Sequence, residues 1–282
     1  MHIVRTREEL DEKLSALKKS GIVGFVPTMG ALHEGHLSLV RQARRACDIV
    51  VVSIFVNPTQ FNDPKDLERY PRNLEEDIRL LKTVSCELLF APTVEEVYPE
   101  PDTRVFDFGQ LDKVMEGQHR PGHFNGVAQV LSRFFDMIKP DKAFFGQKDF
   151  QQLVIVRHLV RQLKMDIEIV GCPIVREPDG LAMSSRNRLL TEKQRKSAPL
   201  IAKTLIESCN FAKNNTVEDT INFVSDTIKR NEDLKLEYFQ IVNGNTLQPV
   251  DNWDESSYIV GCIAVFVGEI RLIDNVIYKD ES

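Results

Sequence analysis

The chain has 282 residues, of which 42% are hydrophobic and 28% charged, a globular balance that excludes a disordered or fibrous protein. Its formal charge of -6 argues against a nucleic-acid partner, because proteins that bind nucleic acids usually carry a basic excess. The five cysteines lie far apart and form no C-x-x-C pair. We therefore expect reduced thiols, and neither a disulfide framework nor a zinc site.

The N-terminal residues and the lengths of the apolar runs indicate where the protein is located. The opening residues, MHIVRTREELDEKL, are charged and helical in pattern, without the apolar core of a signal peptide. No apolar run approaches the roughly 20 residues that span a bilayer. We expect a cytoplasmic protein that does not enter a membrane.

Strand-like and helical patterns alternate along the first part of the chain. Short apolar runs predict strands at 22–27, 49–56, 87–91, 142–145 and 167–170. Amphipathic stretches predict helices at 36–47, 73–84, 126–138 and 150–163. This order predicts an α/β fold, a Rossmann-like parallel sheet with helices on both faces. Ligands of such sheets bind beyond the carboxyl ends of the strands.

The last hundred residues follow a different pattern. Residues 191–229 are mostly helical, and strands are expected from residue 234 onward. The runs YIVGCIAVFV and RLIDNVIY predict a β-hairpin with Gly268 at its turn. We predict two domains, a Rossmann-like domain over 1–180 and a smaller α+β lid domain over 181–282.

The segment PTMGALHEGH, residues 27–36, joins a predicted strand to a predicted helix. Gly30 and Gly35 let the backbone approach a ligand, and the N–H groups at the helix start favour an anion such as a triphosphate. His33 and His36 are three residues apart, so both imidazoles can donate to a phosphate oxygen. An isolated H-x-x-H is more often a capped helix with two surface histidines, and no third zinc ligand accompanies this one. The strand–glycine–helix context favours nucleotide chemistry.

Two further segments offer groups to phosphates. MSSRN, residues 183–187, carries two hydroxyls and the Arg186 guanidinium, which suit a pyrophosphate leaving group, on a turn-rich stretch typical of a mobile flap. FGQKDFQQ, residues 145–152, opens a helix with Lys148, which can bind phosphates, and Asp149, which can cap the helix. Either segment alone would be an ordinary turn or a solvated surface.

Two more segments offer groups to a small polar substrate. FVNPTQF, residues 55–61, brings Asn57 and Gln60 to the end of the most apolar strand, although Asn-Pro alone would be a plain turn. HRPGHFNG, residues 119–126, precedes a helix, where it either lines a pocket or caps that helix.

Together, PTMGALHEGH, FVNPTQF, RPGHFNGV, FGQKDFQQ and VREPDGLAMSSRN resemble the pantoate–β-alanine ligase family in sequence and in order. The H-x-G-H element is also similar to the signature of the nucleotidylyltransferase superfamily, which includes class I aminoacyl-tRNA synthetases. With NTLQPV and RLIDN, the resemblance covers nearly the whole chain. It implies an enzyme that condenses pantoate with β-alanine through a pantoyl adenylate, consuming Mg²⁺-bound ATP and releasing AMP and pyrophosphate. It also implies a homodimer.

The resemblance carries over to individual residues. It implies that His36 is the proton donor, assisted by His33, Lys148 and Arg186. It implies that Gln60 holds pantoate near the β-alanine site and that Gln152 binds the pantoate hydroxyl. The ATP contacts that it implies are Met29, Gly30, Ala31, Leu32, His33, Glu34, Gly35, His36, Gly146, Gln147, Lys148, Asp149, Val175, Met183, Ser184, Ser185 and Arg186.

Two positions depart from the family pattern, and three alternatives stay open. Gln147 stands where many relatives carry Glu, and Asn243 replaces a more usual acid. The first alternative, a nucleotidylyltransferase acting on a phosphate substrate, fits poorly with the neutral side chains of Gln60 and Gln152. A tRNA-binding module fits poorly with the acidic charge. The third alternative is a nucleotide-binding regulator without catalysis.

Overall fold

The structure, a computed structural model, describes residues 1–18 and 21–281, apart from the side chain at position 66. The predicted domain ranges also include positions 19, 20 and 282, which lie outside the described residues. The chain divides into two units. The first comprises Met1–Phe108, Gly117–Gln147 and Ile155–Pro173. The second comprises Gly109–Glu116, Lys148–Val154 and Ile174–Ser282.

The first unit contains a six-stranded parallel sheet. Its strands are β1 (His2–Val4), β2 (Val23–Thr28), β3 (Ile49–Ile54), β4 (Leu88–Phe90), β5 (Lys142–Gly146) and β6 (Glu168–Cys172). Their order is β1-β4-β3-β2-β5-β6, and each neighbouring pair is parallel. The predicted α/β fold and its five strands are confirmed. The N-terminus differs from the prediction, because β1 precedes the first helix, which begins only after the Thr6 cap.

Helices connect the strands of this sheet. They are α1 (Arg7–Leu17), α2 (Glu34–Ala46), α3 (Pro64–Arg69), α4 (Leu74–Lys82), α5 (Val94–Val97), α6 (Met115–His119), α7 (His123–Ile138) and α8 (Phe150–Gln162). The four predicted helices correspond to α2, α4, α7 and α8, with ends shifted by a few residues. Helix α7 begins three residues earlier than predicted, directly after Gly122.

Adjacent residues of β2 show that both faces of the sheet are covered. Phe25 packs edge-on against Phe134 of α7, with ring centroids 5.9 Å apart. Its neighbour Val26 belongs to a separate buried cluster that includes Val40 of α2. Successive side chains of a strand point to opposite faces, so one face lies under α7 and the other under α2. This two-sided burial explains why β3 is almost wholly apolar.

Helices of the second unit are α9 (Glu192–Ser197), α10 (Pro199–Phe211) and α11 (Val217–Lys229). Three antiparallel strands follow, β7 (Leu234–Asn243), β8 (Tyr258–Val267) and β9 (Ile270–Asp280), in the order β7-β8-β9. Val267 pairs with Ile270, and Gly268 has a φ of 62° at the turn between them. The predicted helical stretch and hairpin are confirmed. One buried cluster joins the strands to α10 and α11 through Ile201, Val224 and Ile263.

Candidate active site

The loop between β2 and α2 occupies the carboxyl end of the sheet, where a ligand is expected. Gly30 and Ala31 both have left-handed backbone angles, with φ of 83° and 50°. The Thr28 hydroxyl donates to Ser53 O at 2.7 Å and accepts from Gly30 N at 3.3 Å. A Cβ on Gly30 would lie 2.9 Å from a carboxylate oxygen of Asp77, so glycine is required there by space as well as by φ.

Asp77 of α4 fixes the shape of this loop, although the sequence analysis did not single it out. The residue is 2% exposed. One carboxylate oxygen accepts from Leu32 N at 2.7 Å and the other from Ala31 N at 3.0 Å. Hydrogen bonds to an ionised acceptor are stronger than neutral ones, so this clamp holds two consecutive peptide groups of the loop.

His33 and His36 cap the start of α2 reciprocally. His33 Nδ1 accepts from Gly35 N at 3.2 Å, and His36 Nδ1 accepts from His33 N at 3.4 Å. The two half-buried rings lie 4.1 Å apart between centroids, with 35° between their planes. A neutral imidazole that accepts at Nδ1 carries its proton on Nε2. Both rings therefore have an Nε2–H donor group.

Asn57 and Gln60, the two predicted substrate residues of the first unit, lie side by side and are buried. Asn57 Nδ2 donates to Gln60 Oε1 at 3.1 Å and to Gly126 O at 3.0 Å. Its Oδ1 accepts from the Tyr98 hydroxyl at 2.8 Å. Burial raises the pKa of Tyr98, so this hydroxyl stays protonated and can donate. Gln60 Nε2 lies 3.4 Å from Met29 Sδ, which places the Gln60 amide beside the β2–α2 loop.

The glycine- and histidine-rich cluster at residues 119–126 supports the turn that carries Gln60. His123 Nδ1 lies 2.9 Å from Gln60 O. A Cβ on Gly126 would lie 2.3 Å from Thr59 O and 2.7 Å from Gln60 N, so only glycine allows α7 to approach so closely. The cluster therefore begins helix α7 and packs against a predicted substrate residue, while the expectation that it lines a pocket stays a prediction.

Three more predicted ATP contacts of the first unit are Glu34, Gly146 and Gln147. Glu34 is exposed and pairs with Arg41. Gly146 ends β5, and an added Cβ there would meet nothing within 4 Å. Gln147 N donates to Cys172 O at 2.8 Å. This backbone contact does not depend on whether the side chain is Gln or Glu.

In the second unit, Lys148 and Asp149 precede α8. Lys148 Nζ lies 3.2 Å from Asp149 Oδ2, so this carboxylate pairs with the lysine, and its predicted helix cap stays a prediction. Gln151 is buried and donates to Leu111 O at 2.7 Å. Its neighbour Gln152 is half-buried.

Val175 and Met183 close a short hairpin in the second unit. Met183 N donates to Val175 O at 3.0 Å. The chain then enters a 3-10 turn, Ser185–Leu189, in which the Ser184 hydroxyl accepts from Arg186 N at 3.3 Å. Ser184, Ser185 and Arg186 are each half-buried. The structure thus brings the predicted ATP contacts at 175 and 183–186 into one hairpin and turn.

Two further features concern the part of the chain that the structure describes. None of its helices is long and apolar enough to cross a membrane. Within the same residues, no group of three or more His, Cys, Asp or Glu side chains is arranged to hold a metal ion.

A parallel α/β sheet with an H-x-x-H loop at its carboxyl edge defines a general class, the α/β proteins that bind a polar ligand at that edge. Comparison with known proteins narrows this class. The sequence pattern of the pantoate-beta-alanine ligase family matches residues 2–277. A pantothenate synthetase from Bacteroides fragilis is 56% identical over 281 residues, which cover 99% of this chain and all of that protein. One from Bacteroides thetaiotaomicron is 55% identical with the same coverage.

Solved structures agree with the sequence comparisons. The crystal structure of a pantothenate synthetase from Thermus thermophilus matches with a TM-score of 0.93 and 45% identity, covering 99% of this chain and 100% of that one. A pantoate-beta-alanine ligase from Francisella tularensis, complexed with beta-gamma ATP and beta-alanine, matches with a TM-score of 0.81 and 34% identity. That match covers 99% of this chain and 98% of the other.

The chain belongs to the pantoate–β-alanine ligase family. The predicted family, fold class and ligase activity are confirmed. The alternatives of a phosphate-directed nucleotidylyltransferase, a tRNA-binding module and a non-catalytic regulator are set aside. The roles of individual residues stay predictions.

Proposed function

We propose that the β2–α2 loop of this chain binds the phosphates of ATP, and that His33 and His36 act there as Nε2–H donors. The reaction is the ATP-dependent condensation of pantoate with β-alanine. The observation that carries the residue assignment is the reciprocal cap, in which both Nδ1 atoms accept backbone N–H groups. This geometry fixes the same tautomer on both rings and keeps a donor on each.

The first half-reaction forms pantoyl adenylate. A carboxylate oxygen of pantoate attacks the α-phosphorus of ATP, the bond between the α-phosphorus and the bridging oxygen breaks, and pyrophosphate leaves. Negative charge builds on the phosphate oxygens as this happens. Donors that are already in position stabilise such charge without reorganisation. We assign this stabilisation to His33 and His36, with His36 as the proton donor.

The second half-reaction uses the adenylate as an acyl donor. The amine of β-alanine attacks the acyl carbon, the carbon–oxygen bond to AMP breaks, and the amine loses a proton. AMP and pantothenate are released. No serine or cysteine nucleophile is needed, because AMP is already a good leaving group.

Gln60 is the residue of the first unit that we assign to pantoate. Its amide is held by Asn57 and lies beside Met29 of the loop, so a substrate bound to it would meet the β2–α2 loop directly. A buried neutral amide suits a hydroxyl or carboxylate, since it offers both a donor and an acceptor. We propose Asn57 as a further substrate residue and Gln152 as the group that binds the pantoate hydroxyl.

Lys148, Asp149, Val175 and Met183–Arg186 are proposed as the ATP contacts of the second unit. The Ser184–Arg186 turn offers hydroxyls and a fork-shaped guanidinium, which suit a pyrophosphate. Lys148 would exchange its carboxylate partner, Asp149, for a phosphate when ATP binds. We include Mg²⁺ as part of the substrate, bound to ATP. The roles of Gly146 and Gln147 are proposed on the same family resemblance.

Four further predictions concern the whole protein. The family resemblance implies a homodimer, and the sequence patterns and charge favour a cytoplasmic location, the absence of a nucleic-acid partner, and a division of labour between residues 1–180 and a lid formed by 181–282. Sedimentation equilibrium would test the homodimer.

Isotope transfer tests the proposed chemistry. Pantoate labelled with ¹⁸O in its carboxylate should pass one labelled oxygen to AMP, detected by mass spectrometry of the product nucleotide. Activation as an acyl phosphate would instead put the label in inorganic phosphate. Unlabelled AMP from an active enzyme would contradict the adenylate.

A further inference from the structure

Two adjacent residues of β9, Asp274 and Asn275, connect to both predicted ATP-binding segments of the second unit. Their side chains are almost fully buried, with 4% and 3% of each residue exposed. Neighbouring residues of a strand point to opposite faces of the sheet. One short stretch of backbone therefore supports contacts on both faces of the three-stranded sheet.

Asp274 holds the base of the hairpin that leads to Ser184–Arg186. Its carboxylate accepts two hydrogen bonds from Arg176, at 2.6 Å from Nη1 and 3.1 Å from Nη2. Arg176 also donates to Gly180 O at 3.1 Å and pairs with Ala182 across the hairpin. A bidentate guanidinium–carboxylate pair fixes orientation as well as distance. Asp274 thereby fixes the orientation of the hairpin relative to β9.

Asn275 holds the turn that carries Lys148. Its Nδ2 donates to Lys148 O at 3.0 Å, and Lys148 is separated from the start of α8 only by Asp149. Its backbone N also donates to Asp274 Oδ1 at 2.8 Å. This last bond links the two anchors, so that a shift of one is transmitted to the other.

We propose that Asp274 and Asn275 are positioning residues for ATP, acting through Arg176 and through the Lys148 backbone and touching no substrate themselves. The proposal rests on the assignment of Lys148 and Ser184–Arg186 to ATP phosphates. Small displacements of such groups strongly weaken their stabilisation of the phosphate charge. That stabilisation depends on hydrogen-bond donors that are already in position before the reaction.

The test uses the variants Asp274→Asn and Asn275→Ala in the full-length enzyme, with Asp233→Asn as the matched control. Asp233 is an aspartate of the same unit that pairs with Lys193 at 2.6 Å and accepts a hydrogen bond from the Ser197 hydroxyl at 2.8 Å. We expect the two β9 variants to raise KM for ATP by about tenfold to a hundredfold, with KM for pantoate changed by less than about twofold. The Asp233→Asn variant should leave both constants unchanged.

The split between the two Michaelis constants separates positioning from a purely structural role. Partial unfolding lowers the amount of active enzyme and hence the apparent kcat, but leaves both constants alone. A second variant, Arg176→Lys, keeps the charge and loses the bidentate geometry, so it should reproduce the Asp274→Asn effect even if that variant folds poorly. Unchanged KM for ATP in folded Asn275→Ala and Arg176→Lys enzymes would overturn the proposal.

Failure of this inference can be told apart from failure of the proposed function. Lys148→Ala and Arg186→Ala are measured beside the β9 variants. If they raise KM for ATP and the β9 variants do not, only the positioning role is wrong. If Lys148→Ala and Arg186→Ala have no effect either, the assignment of these segments to ATP is wrong and the inference falls with it.

Discussion

The backbone N–H of His33 donates to His36 Nδ1 at 3.4 Å, while the two imidazole rings lie 4.1 Å apart between centroids. This pairing places helix capping and the proposed catalytic role in the same two side chains. The cap uses the Nδ1 atoms, and the proposed chemistry uses the opposite nitrogens. Substitutions that keep one function and remove the other can therefore separate them.

His33→Asn should separate capping from catalysis. Asparagine is a favourable N-cap residue, so the variant should lose less than about 1 kcal/mol in free energy of unfolding. It has no group at the position of Nε2, and we expect adenylate formation to slow by about a hundredfold or more. Urea unfolding and single-turnover quenched flow measure the two effects. A variant that is unstable yet forms adenylate at the normal rate would assign His33 to the cap alone.

His36→Ala should slow adenylate formation more than it weakens pantoate binding. The expected loss in the single-turnover rate is about a hundredfold to ten-thousandfold, the usual contribution of a general acid. The dissociation constant of pantoate, measured by calorimetry on the same protein, should change far less. Near-normal adenylation in the folded variant would remove His36 from the mechanism.

Asp77→Asn should damage the β2–α2 loop without touching either histidine. Asparagine offers one acceptor oxygen, while Ala31 N and Leu32 N both need one. We expect a loss of about 2 kcal/mol or more in unfolding free energy, together with weaker ATP binding. Glu76→Gln on the same helix is the control, because its surface pair with Arg79 contributes little to stability. Equal behaviour of the two variants would contradict the clamp.

Asp102 should contribute to stability in a pH-dependent manner. It accepts from Arg104 at 2.6 Å and Arg133 at 2.7 Å, and hydrogen bonds from these guanidiniums, chiefly that of Arg104, hold the pKa of its carboxyl well below the usual range. The pKa of Asp102 in the folded protein lies below its unfolded value of about 3.9. Its contribution to the free energy of unfolding is therefore full above about pH 3.9 and is lost as the pH falls through the folded pKa. Asp102→Asn should therefore be less stable at pH 7, and should lose less further stability than the wild type on acidification.

Urea midpoints at pH 7 and pH 3 measure this effect, with the exposed residue Asp11 changed to Asn as the control. We expect Asp102→Asn to cost about 3 kcal/mol at pH 7, because two guanidiniums lose a buried charged partner. Parallel pH curves for Asp102→Asn and the wild type would show that the ion pairs do not determine acid stability.

The cysteines should be unreactive in the folded protein. Burial raises the pKa of the Cys47, Cys86 and Cys172 thiols to about 11, 12 and 11, and it also raises the pKa of Cys209 and Cys262. Only the thiolate attacks a disulfide reagent, so at pH 8 these groups are protonated and shielded. Ellman's reagent should label all five thiols in urea and very little in the native protein. Rapid native labelling of Cys86 would contradict this account.

The parallel sheet could be predicted from the sequence because each strand is a short apolar run between helical patterns. β1 could not, since three residues beside a charged helix produce no pattern of their own. Strand β1 is held in its extended conformation by pairing with β4, which lies far away in the chain, and not by any preference of its own three residues. The hairpin of β8 and β9 was predictable because a glycine separates two long β-branched runs.

The position of the candidate site was predictable where polar residues cluster after strands, as for His33, His36 and Gln60, whose roles stay predictions. Asp77 was missed because it lies in a run of acids, Glu75, Glu76 and Asp77. Such a run is typical of the exposed face of a helix. One signal could have found it. Asp77 falls between Leu74 and Leu81 at helical spacing, and an acid on an apolar stripe needs a buried partner. The long-range contacts of Asp274 and Asn275 leave no comparable local signal.

ATP–pyrophosphate exchange, with pantoate present and β-alanine absent, tests the central claim most directly. We predict exchange in the wild type that depends on pantoate and is largely lost in His36→Ala, because the proposal has the adenylate form reversibly at the β2–α2 loop. Absence of exchange in a folded wild-type protein that binds ATP would contradict the adenylate mechanism. Undiminished exchange in His36→Ala would keep the adenylate and reject the histidine as its catalyst.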